Sequence, residues 1–433
     1  MILIAAGKEL RGILRDGRIL AGALALLLLA AVALLSASAR YAVLSRERAV
    51  AQQVVAQQWQ RQGEKNPHSA AHYGQYAFRP ALPLSFFDPG VLPYAGVSIW
   101  LEAHKQNFAV GRPADDMTAL ARFGELSLAF ILQALVPLGL IIMGYGAIAA
   151  EREQGTLRQL LATGISPGQL FIGKFLGLGA AALTLLAPLW LVCALALAVA
   201  GDADAWLAAG SLLLVHLVYF AMVLALTLLV SARASSAQAA LLVLLGFWAL
   251  ATFVLPRIAA DLGRRVAPTP SAPEFLAGVE SDIAGGMGGD PPAVRIARRR
   301  EALLRVYKAS SEAQLPVNFQ GIVFAIQDEL GNAAYDKRFG ELHAAIDRQA
   351  DLYEAASVLS PRMAVALVSQ ELSGTSLAAQ RHFERGAEQF RRRLMEQLNR
   401  DILLDLDRNR FRHCPHLSQA GGRPQDAPRQ TLR

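Results

Sequence analysis

The sequence predicts an all-α polytopic membrane protein with five transmembrane helices and two extracytoplasmic, mainly helical regions. Three observations carry this expectation. The chain of 433 residues is 54% hydrophobic and only 18% charged, a balance far from that of a soluble multidomain protein of this length. Its apolar residues gather into five uncharged runs, at 19–39, 126–150, 175–200, 205–232 and 234–256, each long enough to cross about 30 Å of hydrocarbon as a helix. Between and after these runs lie two polar segments, 40–125 and 257–410, followed by a polar tail at 411–433.

The order of the chain justifies each element. Lys8, Arg11, Arg15 and Arg18 precede the first run, which assigns residues 1–39 to a cytoplasmic N-terminus and first span. Ala37-Ser38-Ala39 has the form of a signal-peptidase site, but the apolar run exceeds a usual signal-peptide core, so an uncleaved span is the preferred reading. A helix over 45–62, rich in Arg, Glu, Gln and Ala, extends that span. Pro80, Pro83, Pro89 and Pro93 among aromatic residues then predict an ordered, turn-rich region outside the membrane. The second run holds Pro137, whose ring kinks a membrane helix and leaves a carbonyl for neighbours to satisfy. Residues 151–174 form a charged loop that returns to the third run. Acidic residues at 201–204 join the third and fourth runs on the opposite face, and Arg233 with Ser231, Ser235 and Ser236 turns the chain into the fifth. Beyond Pro256, Pro268, Pro270, Pro273 and GGMGGDPP at 285–292 read as flexible connectors. Helical blocks are expected at 293–313, 322–358 and 376–407, with Phe383, Phe390, Leu394 and Leu398 on one face of the last.

The loop 151–174 is the most informative stretch. Glu151 and Glu153 follow a span directly and belong at the water interface, where carboxylates can meet basic groups of a partner. Gly155-Thr156 marks a break before a short helix carrying Leu157, Leu160 and Leu161, and Ser166-Pro167 caps the next helix. Gly168–Phe175 reads GQLFIGKF, which has P-loop spacing but ends in Phe where a hydroxyl must hold magnesium, and it follows no strand. Lys174 is read as an interfacial anchor.

Glu151, Arg152, Glu153, Gly155, Thr156 and Leu157 resemble the E-x-E-x-G-T-L signature of ABC-2 type transporter permeases. AHYGQYAF (71–78), FFDPG (86–90), WLEAHKQN (100–107), RFGELS (122–127) and residues 359–384 resemble the external regions of one subgroup of that family. The resemblance implies a permease subunit that is not itself an enzyme. It implies a separate ABC ATPase docking on Glu151, Arg152, Glu153, Gly155, Thr156, Leu157, Leu160 and Leu161. A second permease subunit, identical or sister, a lipid bilayer, the bacterial inner membrane and an export direction are implied with it. Such permeases usually have six spans, whereas no apolar run follows Asn409 here.

Other chemistry is thinly supported. The net charge of +7 comes without the interleaved aromatics of an RNA-binding surface, so no nucleic acid is expected. His68, His72 and His104 with Glu102 show no tight ligand spacing, and His413, Cys414 and His416 flank a proline in the tail, so no metal site and no cofactor are expected. Two cysteines, Cys193 and Cys414, define no disulfide framework. His216, inside the fourth run, is read as a neutral imidazole bonded to a neighbouring helix. A non-transporting membrane scaffold or signalling protein with external partner-binding lobes is the alternative. A membrane-embedded enzyme is disfavoured because no span carries paired carboxylates or a nucleophile elbow.

Overall fold

The computed structural model describes residues 1–63, 65–116, 126–200 and 203–404. Residues 201 and 202 of the expected acidic turn, 122–125 of RFGELS, and the tail with His413, Cys414 and His416 lie outside them. The chain begins with an amphipathic helix, α1 (Ile2–Arg15), whose Leu3 and Ile4 are exposed. Asp16 ends it and accepts a hydrogen bond from the Arg18 backbone N–H, capping α2 (Gly17–Gln60). This one helix holds the first apolar run and the helix expected at 45–62.

The first polar segment adds a small sheet to its helices. After the short helix α3 (Pro67–Tyr73), strands β1 (Gln75–Phe78), β2 (Ser98–Glu102) and β3 (Lys105–Gln106) form an antiparallel sheet in that order. In SIWLE, Ile99 and Leu101 are buried while their neighbours are not, the period-2 alternation of a half-buried strand. Tyr76 lies opposite Trp100 with ring centroids 4.7 Å apart, a cross-strand aromatic pair.

Four further apolar helices follow: α4 (Leu128–Glu153), then, after the short α5 (Thr156–Ala162), α6 (Pro167–Ala200), α7 (Ala203–Arg233) and α8 (Ala237–Val266). With α2 they make five helices long and apolar enough to cross a membrane among the described residues. Two of them share a device. In α4 a π-helical turn at Ile131–Leu135 precedes Pro137, and in α8 one at Leu250–Val254 precedes Pro256. Proline lacks an N–H and clashes with the carbonyl four residues back, here Gln133 and Thr252. Side chains from elsewhere satisfy both carbonyls: Tyr219 Oη donates to Gln133 O at 3.0 Å, and Arg362 Nη1 donates to Thr252 O at 3.1 Å. The fifth apolar helix therefore runs through Pro256 to Val266 instead of ending there.

The C-terminal segment adds α9 (Ala272–Ala284), α10 (Pro292–Tyr307), α11 (Phe319–Ser357), α12 (Pro361–Ser373) and α13 (Leu377–Leu404). The proline-rich connector is more ordered than expected. Gln349 Nε2 donates to Ala267 O at 2.6 Å, and Ser271 with Glu274 forms a reciprocal capping box that starts α9. Arg295 bonds the carbonyls of Asp290 and Gly286 and so closes the glycine-rich turn. Leu394 and Leu398 of α13 are buried, with Phe390 packed beside them, as the spacing predicted.

The two polar segments are one lobe. Buried Arg391 of α13 bonds Glu388 of its own helix and Asn332 of α11, and reaches the Glu102 carbonyl on β2. Arg79, after β1, bonds Gln380 and the Gly374 carbonyl. The helix α12 wedges between the lobe and one end of the bundle: Ser360 Oγ donates to Ala251 O at 2.7 Å, and Ser369 Oγ donates to the buried carboxylate of Asp88 at 2.6 Å. The loop 151–166 lies at the other end of the apolar helices.

Candidate coupling site

The loop at the end of α4 is built by contacts that reach three other helices. Ser231, fully buried in the last turn of α7, accepts hydrogen bonds from the backbone N–H groups of Ile148 and Ala149 at 3.0 and 3.1 Å. It supplies from a neighbouring helix the acceptor that the first turn at 149–153 lacks. Arg152 donates to the carbonyls of Ala232 and Ala234, the open C-terminal end of α7. Thus the short turn carrying Glu151 and Glu153 is pinned on both sides.

Glu151 turns inward. Its Oε1 accepts from Lys174 Nζ at 2.9 Å and from Lys8 Nζ at 3.2 Å, while Lys174 also donates to Glu9 Oε1 at 2.6 Å. The Lys174 side chain is only 2% exposed, against 17% for Glu9 and 15% for Glu151. Lys174 is therefore the centre of a buried ion cluster and not a snorkelling anchor at the interface. Its partner Glu9 arrives because α1 lies directly on α6: a Cβ at Gly173 would stand 2.6 Å from the Ala5 Cβ, and one at Gly177 2.5 Å from the Ala6 carbonyl. Glycines one turn apart permit that approach, and the helix pair sets Glu9 beside Lys174. Glu9, Lys174 and Ser231 were missed as members of this site. The small-xxx-small pattern Gly173-x-x-x-Gly177 beside a lysine, facing an acidic residue on an amphipathic helix, is the signal that could have found the first two.

Glu153 by contrast is exposed, as are Arg158 and Leu161. Gly155 has φ +74°, a left-handed conformation that breaks the helix, and Thr156 Oγ1 donates back to the Glu151 carbonyl at 3.1 Å. No residue of α5 is buried, and Leu157 and Leu160 are only half covered. A seven-residue helix has little stability of its own, so it is held by its ends: the Gly155 break on one side and, on the other, the reciprocal Ser166–Gln169 pair that caps α6. Residues 168–174 lie within that helix, so no P-loop cradle exists there.

Deeper in the bundle, His216 is fully buried, and its Nδ1 lies 2.8 Å from the Leu212 carbonyl of its own helix, while its Nε2 is buried without a hydrogen-bond partner, so the expected bond to a neighbouring helix is not made. Its ring sits against Phe87 and Phe220.

A family model described as ABC-2 family transporter protein matches residues 3–381 of the chain, from α1 through all five apolar helices to the start of α13. A search of curated proteins found no match.

Proposed function

Because the chain belongs to the ABC-2 transporter family, we propose that it is the membrane subunit of an exporter whose ATP hydrolysis occurs on a separate ABC ATPase, docked on the loop 151–163. The observation that carries this reading is α5, a short helix with no buried residue and three leucines, Leu157, Leu160 and Leu161, offered at one end of the apolar bundle. Glu153 supplies the charged contact of the docking surface. Glu151 acts behind it, tying the loop to α1 and α6 so that movement imposed on α5 reaches two helices at once. Arg152 and Gly155 set the angle at which α5 leaves α4, and Thr156 closes the turn.

The loop end is assigned to the cytoplasm and the lobe to the outside of a bacterial inner membrane. Lys8, Arg11, Arg15, Arg152, Arg158 and Lys174 lie in the chain just before the first span or between the second and third, in keeping with the positive-inside tendency. A second permease subunit, identical or sister, completes the pathway in this reading.

Purification of the tagged chain in mild detergent from its native host tests the reading. An ATP-hydrolysing subunit should accompany the wild type and be lost with Glu153→Lys combined with Leu160→Ser and Leu161→Ser. Unchanged capture and ATP-dependent transport by that variant would remove the docking assignment. A preparation free of ATPase, from cells that express one, would favour a membrane scaffold or signalling protein.

A further inference from the structure

The lobe assembles three histidines that show no ligand spacing in the sequence. Asn66 caps α3 by accepting from the His68 backbone N–H, and the helix places His68 and His72 one turn apart on a shared face. Their Nε2 atoms are 3.0 Å apart. The third, His104, comes from the turn between β2 and β3, where its φ of +62° puts a non-glycine residue in the left-handed region. Its ring centroid lies 5.3 Å from that of His68 and 5.4 Å from that of His72. One ligand nitrogen from each residue falls within 4.8 Å of the others. Glu102 is not part of the group; it accepts from Asn107 instead.

Contacts behind the three rings hold them in place. His104 Nδ1 is 2.7 Å from Asp328 Oδ1 on α11, and Asp328 Oδ2 accepts from Asn399 Nδ2 of α13 at 2.6 Å. A carboxylate on Nδ1 selects the tautomer whose Nε2 lone pair is free, and it raises the basicity of that nitrogen. Phe324, also on α11, stacks flat on His68 with centroids 3.6 Å apart and 6° between planes.

We propose that His68, His72 and His104 form a binding site for a divalent first-row transition-metal cation of the zinc class, with the fourth coordination position open on the side of the exposed His72. Imidazole nitrogens suit zinc, cobalt, nickel and copper over magnesium or calcium, and a tetrahedral or near-tetrahedral arrangement favours zinc and cobalt among them. Metal–nitrogen bonds of about 2.0–2.1 Å correspond to nitrogen separations of about 3.3 Å in a tetrahedron. The His68–His72 pair already stands near that value, and the widest separation in the group has to close by about 1.5 Å from its limit of 4.8 Å. A bound ion also joins two parts of the chain far apart in sequence: α3 and the β2–β3 turn on one side, and through Asp328 and Phe324 the long helix α11 on the other. Three ligands with one open position leave room for water or for a donor group of another molecule reaching the lobe.

The test uses the full chain in lipid nanodiscs, carrying a tag without histidine and stripped of metal by chelation. Zinc and cobalt are titrated by calorimetry, with visible absorption of the cobalt form and metal content per chain as further readouts. One ion per chain is expected, with the intense visible bands of tetrahedral cobalt. His72→Ala with His104→Ala should weaken binding at least a hundredfold, and Asp328→Asn, which touches no ion, tenfold to a hundredfold. His413→Ala with His416→Ala should leave the affinity unchanged. Zinc should raise the thermal unfolding temperature of the wild type and not that of the double variant at His72 and His104. His72→Gln, which preserves the helix and most of the side-chain volume, separates loss of binding from loss of fold. Failure of the correctly folded wild type to bind, retention of the ion by the folded double variant, or its loss on changing the tail histidines instead would each overturn the site.

Discussion

Replacing Lys174 with methionine isolates the charge at the centre of the ion cluster while conserving the length of the side chain. In the wild type one ammonium, 2% exposed, serves the carboxylates of Glu9 and Glu151 at 2.6 and 2.9 Å. Without it two carboxylates face each other, and only Lys8, 3.2 Å from Glu151 and 65% exposed, remains to offset them. Removing one partner of a buried pair costs about 3–5 kcal/mol, since the remaining charges have lost their solvent without gaining a counter-ion. Lys8 can move closer to Glu151, so the lower end, about 3 kcal/mol, is expected. The assay is reversible unfolding in mixed micelles with increasing SDS. The same assay on Lys174→Met combined with Glu9→Gln and Glu151→Gln should return most of the lost stability, because the uncompensated charge is gone. A single variant within about 0.5 kcal/mol of wild type, the range of an ordinary surface change, would refute the buried cluster. A triple variant as unstable as the single one would show that the lysine stem, and not its charge, matters.

Other perturbations follow from the same geometry. Gly177→Val puts a side chain where the Ala6 carbonyl stands 2.5 Å from a Cβ, so α1 should detach from α6; protease cleavage between α1 and α2 should quicken, and unchanged cleavage would deny the contact. Tyr219→Phe removes the donor to the carbonyl that Pro137 leaves open, and a loss of about 1–3 kcal/mol is expected in SDS unfolding. Asp88 is buried, and burial holds its carboxyl above the ordinary carboxylate range. Its folded value exceeds its unfolded one, so its contribution to stability is fully present below the unfolded value and is lost as pH rises through the folded one. Asp88→Asn should flatten the thermal stability profile over that interval, while a profile identical to wild type would place the titration elsewhere.

The sequence by itself determined where the membrane helices lie, because long uncharged runs have no other stable solution than a helix in hydrocarbon. It also marked the helix break at Gly155, the cap at Ser166, and the buried face of α13, all of which depend on residues close in the chain. Pro137 announced that a carbonyl would need a partner, but Tyr219, 86 positions from the Gln133 carbonyl it serves, could not be identified as that partner from local pattern. The small sheet escaped notice because its strands are short and rich in aromatics that suit a turn-rich loop equally well. Only the tertiary structure decided that Glu151 faces inward and Glu153 outward. The two glutamates are equivalent in sequence, and their difference arises from α1 settling on Gly173 and Gly177 and bringing Glu9 to Lys174 and Lys8 to Glu151. The histidines illustrate the same limit. His68 and His72 share a helix face by spacing alone, but a left-handed residue at a strand turn and an aspartate on a helix more than two hundred residues later complete the group. Such convergence is a property of long-range packing, in which no residue signals its partner until the chain has folded around it.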